Sequence, residues 1–81
     1  MNEKIGEVTH YFTDLNVGII KLEDELELGD KIRIKGSTTD FEQKVNSMEI
    51  DREEVERAES GESIGMKVKD RVREGDEVYK V

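Results

Sequence analysis

The amino-acid sequence predicts an all-β domain, a small closed antiparallel barrel of six or seven strands, and three observations carry that expectation. Apolar residues recur in short alternating runs separated by glycine or acidic turns, which is strand periodicity. No long crossover helix is legible, and parallel strands would require one, so the sheet should be antiparallel. The chain has 81 residues and only 33% of them are hydrophobic. Its core is therefore thin, and a sheet with one buried face can close into a barrel, which also removes its edges. A chain of this length is read as one domain, residues 1–81.

The first run is Ile5 to Phe12 and the second is Leu15 to Leu22. Thr13 and Asp14 between them, with Asn16 just beyond, suit a tight connection. In the segment EDELELGD, Leu26 and Leu28 are expected to anchor the chain, and Gly29-Asp30 turns it into the strand KIRIK, residues 31–35. There Ile32 and Ile34 point inward while Lys31, Arg33 and Lys35 face water. Gly36-Ser37 turns the chain again, and Thr38 to Ile50 reads as one long strand. Its inward set changes parity, from Phe41 and Val45 to Met48 and Ile50; a β-bulge near Asn46-Ser47 would reconcile the two.

Residues 51–61, DREEVERAESG, read as a helical turn or a loop. Asp51 and Glu54 have capping-box spacing, Val55 and Ala58 sit at i, i+3, and Gly61 ends the segment. Ile64 to Val72 is the next strand, with Met66, Val68 and Val72 inward and Lys67, Lys69, Arg71 and Arg73 outward. Asp70 marks where it leaves the core. Glu74-Gly75-Asp76 is a turn, and Val78 to Val81 is a last short strand. Ile32, Ile34, Phe41, Val45, Ile64, Val68 and Val78 should be buried.

Chemistry is easier to exclude than to assign. The chain has no cysteine and one histidine, His10, so it offers no thiol nucleophile and no metal site built on cysteines or a histidine pair. The acidic segment EDELELGD lacks calcium-loop spacing. There is no phosphate-binding loop and no nucleophile elbow. No catalytic site, cofactor or metal is expected, and the protein is read as a non-enzyme. No run of 18 apolar residues and no apolar leader is present, which gives the expectation of a cytoplasmic protein without a membrane segment. His10, between Thr9 and Tyr11, reads as a histidine at a strand rim.

Two features stand out. KIRIK and KVKDRVR place Lys31, Arg33, Lys35, Lys67, Lys69, Arg71 and Arg73 on outward faces, in a chain of net charge −8. They are either solvated faces paired with nearby acids or one surface for an anionic partner, and the net charge would keep any RNA affinity weak. In the doublets Tyr11-Phe12 and Ile19-Ile20, neighbours point to opposite faces. One member of each is either covered by a loop or part of an exposed patch.

The order of motifs carries a resemblance. Gly6-x-Val8 is followed by Leu26-x-Leu28-Gly29-Asp30-Lys31-Ile32-x-Ile34, then Val45-x-Ser47-Met48, then Val55-x-x-Ala58-x-x-Gly61-x-x-Ile64-Gly65-x-x-Val68, then Val72-Arg73-x-Gly75-Asp76-x-Val78. This resembles the second domain of translational GTPases such as elongation factor Tu, over essentially the whole chain. The resemblance implies a Greek-key barrel and a docking module, elongation-factor-like, whose partner is RNA, the ribosome or another protein. The GTPase domain's phosphate loop and guanine motif are missing, so GTP is not expected on this chain. The hairpin HYFTDLNVGIIKLEDEL departs from the family's glycine-rich form, and no binding residue is carried over. A similar barrel closes collagenase-like peptidases as a C-terminal accessory domain. The alternative is therefore an accessory subunit of such an enzyme.

Overall fold

The computed structural model describes residues 3–81. Its elements are β1 (Glu3–Phe12), β2 (Val17–Leu22), β3 (Leu26–Glu27), β4 (Lys31–Lys35), β5 (Asp40–Lys44), β6 (Glu49–Ile50), β7 (Glu53–Glu54), β8 (Arg57–Ala58), β9 (Ser63–Lys67) and β10 (Glu77–Lys80). There is no helix among the described residues. Eight strands form one sheet in the order β5-β4-β10-β1-β2-β9-β6-β7, and β3 pairs with β8 in a second, two-stranded sheet. Every pairing is antiparallel.

The all-β antiparallel expectation holds, but closure of the ladder does not. The order ends on β5 and β7, and among the described residues no backbone ladder joins those ends. Between β5 and the end of β9 a side chain spans the gap. Gln43 donates from Nε2 to the Lys67 carbonyl (2.9 Å) and accepts at Oε1 from the Lys69 N–H (2.8 Å). A primary amide can bond both a donor and an acceptor, as a peptide unit does.

β1 is the central strand, paired with β10 on one side and β2 on the other. Its inward residues Ile5 and Val8 are three apart, which an unbroken period of two cannot accommodate. The register shifts between Lys4 and Gly6 against β10, and between Val8 and His10 against β2. These irregularities lie in β1, not near Asn46-Ser47. There the expected long strand from Thr38 to Ile50 is broken instead: β5 ends at Lys44, β6 begins at Glu49, and Val45 and Met48 fill the core between them. The expected strand from Ile64 to Val72 likewise stops at Lys67, with Val68 and Val72 buried from an irregular segment.

The expected helical turn in 51–61 is replaced by strands. Asp51 and Arg52 take φ of 52° and 67°, so they form the two-residue turn between β6 and β7 and cannot begin a right-handed helix. The backbone bonds of this segment go across the fold: Val55 N–H donates to the Met48 carbonyl, and Leu28 N–H to the Glu56 carbonyl. Packing set by distant partners overrode the local helix signal.

One apolar cluster runs through all of this, from Ile5 and Val8 to Ile20, Leu22, Ile32, Ile34, Ile64 and Val78. Of the expected core, Phe41 is the exception, half-buried and packed against the cluster's margin. Leu28 was expected to anchor the chain, yet it is 39% exposed; only Leu26 is buried. The turn at Gly75 (φ 91°) brings Asp76 beneath Gly36, where Asp76 accepts the Arg73 N–H. A Cβ on Gly36 would lie 1.9 Å from an Asp76 carboxylate oxygen, so only glycine fits there.

Candidate interaction surface

β4 and β5 set the first group of cations. The antiparallel register puts Lys31 opposite Lys44, Arg33 opposite Glu42 and Lys35 opposite Asp40. Arg33 reaches diagonally and holds Asp40 with two hydrogen bonds, Nε to Oδ1 at 2.8 Å and Nη2 to Oδ2 at 2.9 Å. That hydrogen bonding raises the Arg33 pKa and holds the Asp40 carboxyl below its usual value. Lys31 pairs with Glu42 at 3.2 Å. Two of the three KIRIK cations thus already have acidic partners, and Lys35 is exposed.

The second group is held differently. Lys67 ends β9, while Lys69, Arg71 and Arg73 lie exposed in the irregular segment beyond it. β4 and β9 are not neighbours; β10, β1 and β2 separate them along the ladder, so the two groups do not form one continuous strand face. Where Gln43 ties β5 to the Lys67–Lys69 backbone, a shallow depression of ≈ 510 Å³ is lined by Gln43, Lys44, Asn46, Lys67, Val68 and Lys69. Lys69 Nζ stands 5.9 Å from the centre of the Phe41 ring, within cation–π range. Gln43, Lys44 and Asn46 were not read as surface-site residues from sequence. Gln43 and Lys44 lie on β5 and Asn46 just beyond it, and only the seam brings them to the KVKDRVR segment.

A third charged centre lies at the start of β1. Lys4 sits 3.5–3.6 Å from carboxylate oxygens of Glu7, Glu23 and Glu77. Partial desolvation works to lower its pKa, and the three carboxylates outweigh it and raise it. Tyr79 donates its hydroxyl to Glu77 at 2.5 Å, which with Lys4 holds the Glu77 carboxyl below its usual value. Arg57 pairs through Nη2 alone with Glu25 and stands 3.9 Å by Nε from Glu59, one guanidinium between two exposed carboxylates.

The β1–β2 hairpin carries two of the exposed large apolar residues, the others among the described residues being Leu28 and Val81. Phe12 is 42% and Leu15 59% exposed, whereas Tyr11 is half-buried with its hydroxyl on Asn16. Of the second doublet, Ile20 is buried and Ile19 half-buried. His10 is exposed, its ring edge-on to Phe12 at 4.5 Å. Among the described residues there is no group of three or more His, Asp or Glu side chains placed to hold a metal ion. Among the described residues no helix is long and apolar enough to cross a membrane.

No family model matches the chain. It is 43% identical over 77 residues to an uncharacterized protease of Methanocaldococcus jannaschii, a match that covers 94% of this chain and 19% of that protein. It is 37% identical over 78 residues to a collagenase of Porphyromonas gingivalis, covering 94% of this chain and 22% of that protein. The likeness is to peptidases, not to translation factors. In structure, the chain superposes on the C-terminal domain of a U32 peptidase from Geobacillus thermoleovorans with a TM-score of 0.91 at 18% identity, over 98% of this chain and 92% of that one. The chain spans about one fifth of the length of the curated relatives it matches.

These matches correct the elongation-factor reading and the RNA or ribosome role drawn from it. The motifs that suggested it serve the fold. Gly29 and Gly75 take φ of 93° and 91° ahead of Asp30 and Asp76, as tight turns between strands require. Gly6 lies where a Cβ would meet the Lys21 carbonyl at 2.8 Å, so it permits close packing of β1 on β2. Such devices recur wherever strands turn tightly and carry no information about a ligand.

Proposed function

We propose that this chain is an accessory domain of a collagenase-like U32 peptidase, itself non-catalytic, which acts by binding protein. The observation that carries the reading is the 43% identity over 94% of this chain to a segment amounting to 19% of a protease. A piece of that size, without an assembled nucleophile or metal cluster among the described residues, is better suited to positioning than to bond cleavage. The Geobacillus thermoleovorans structure, a C-terminal domain with the same fold, supports a similar placement. On this reading residues 1–81 are one domain. Its sheet curls into a barrel whose seam is bridged by Gln43, an arrangement supported by the single apolar cluster.

The test uses the Methanocaldococcus jannaschii protease with its matched segment deleted. Added in equal amounts, this chain should co-elute with it at one-to-one stoichiometry and should cleave no collagen by itself. Cleavage by the isolated chain, or no complex at micromolar concentrations, would overturn the proposal.

A further inference from the structure

In the depression at the seam between β5 and the end of β9, cations from two separate strands meet around a shared hollow. Its rim carries Lys44, Lys67 and Lys69. Among the described residues none of these ammonium groups has a carboxylate within 4.0 Å, whereas Lys4, Lys31, Arg33, Arg57 and Lys80 each have one. Lys21, Lys35, Arg52, Arg71 and Arg73 likewise have none among the described residues; what distinguishes Lys44, Lys67 and Lys69 is that all three line one depression in a chain of net charge −8. Like charges held together repel, and Lys31, directly opposite Lys44, has its own partner in Glu42 and leaves Lys44 without one. The site's floor is fixed: both ends of the Gln43 amide are spent on the Lys67 and Lys69 backbone. Val68, 6% exposed, anchors the same segment in the core.

We propose that this lysine-rimmed depression binds an acidic peptide segment of a partner protein, whose carboxylates supply the missing counter-charges. The inference does not depend on the peptidase reading, since it rests on charge and shape alone. Its chemistry favours a peptide over a nucleic acid. No arginine lines the depression, and Phe41, the aromatic ring beside it, is half-buried with Lys69 over its face. Bases would find no stacking platform. The net charge of −8 repels a long polyanion, while a short segment engages the three ammonium groups locally.

The experiment is a fluorescence-anisotropy titration of a labelled oligoglutamate peptide with the full chain at low and at physiological salt. The triple variant Lys44→Gln, Lys67→Gln, Lys69→Gln should bind about tenfold more weakly. A control triple, Arg52→Gln, Arg57→Gln, Lys80→Gln, removes the same charge from residues outside the depression and should change affinity less than about twofold. All six positions are surface residues, and thermal unfolding of each variant checks that it folds; the single lysine variants, each expected to show part of the loss, serve if the triple does not. Equal weakening by both triples would reduce the effect to net charge and overturn the site. So would failure of the peptide to bind at low salt. Tighter, Lys44-dependent binding of a single-stranded oligouridylate would reassign the surface to nucleic acid and equally overturn the proposal.

Discussion

The strand Lys31–Lys35 and the segment Val45–Gly61 lie in the same small fold and obey different rules. In the first, strict alternation decides everything: Ile32 and Ile34 are fully buried, and the cations between them face outward. In the second, three two-residue strands and a left-handed turn take their shape from partners elsewhere. β6 leans on β9, β8 on β3, and Val55 and Leu28 bond across the connections. The contrast separates what a local pattern can encode from what only the assembled core imposes. A period of two needs about five residues to be read, and no strand in 45–61 has that many.

The largest expected effect breaks the first region. Ile34→Ala opens the centre of the cluster and should cost about 2–5 kcal/mol, a large part of a small domain's stability. Urea unfolding measures it; a midpoint unchanged within error would contradict the inward assignment. Next comes the point where the turn after β4 meets the turn before β10. Gly36→Ala places a methyl group against the buried Asp76 carboxylate and should cost about 1–3 kcal/mol. The double variant Gly36→Ala, Asp76→Ala should then lose less than the sum of its parts, and strict additivity would contradict the contact.

The second region can be sharpened by relieving it. Arg52 holds φ of 67°, which a side chain disfavours, so Arg52→Gly should stabilise the protein by about 0.5–1 kcal/mol. A lowered thermal midpoint would favour the helical turn over the hairpin. The smallest effect is electrostatic. Asp40, held below its usual pKa by the Arg33 hydrogen bonds, binds its proton more weakly folded than unfolded. Its stabilisation is therefore present above the unfolded carboxylate value, about pH 4, and lost as pH falls through the lower folded value. Arg33→Gln should flatten the decline in stability below about pH 4 and leave the shape of the curve near neutrality unchanged. An unaltered acid limb would remove the pair from the account. Both groups are exposed, so the effect is modest.

Much of the fold was legible for the reason the first region shows. β2, β4 and β10 follow from alternation and from Gly-Asp turns, while β1 was legible as a strand but not in its two register shifts. The hairpin at 51–52 was not, because Asp51 and Glu54 have the spacing of a helix cap and nothing local announces two left-handed residues in succession. The candidate surface divides along the same line. The seven cations were visible as outward residues, but the acids that occupy Lys31 and Arg33 come from β5, and Lys44 joins Lys67 and Lys69 only through the seam at Gln43. The motif order pointed to a translation factor because glycine turns and inward aliphatics report a fold, whereas the peptidase matches report ancestry along the whole segment.

The central claim is that this chain performs an accessory task in a collagenase-like peptidase. Grafting it in place of the matched segment of the Porphyromonas gingivalis collagenase, and measuring collagen cleavage against the parent and against the deletion, tests that most directly. The account predicts that deletion lowers cleavage, that the graft restores most of it, and that the isolated chain has none. A folded graft no more active than the deletion, or cleavage by the isolated chain, would contradict it.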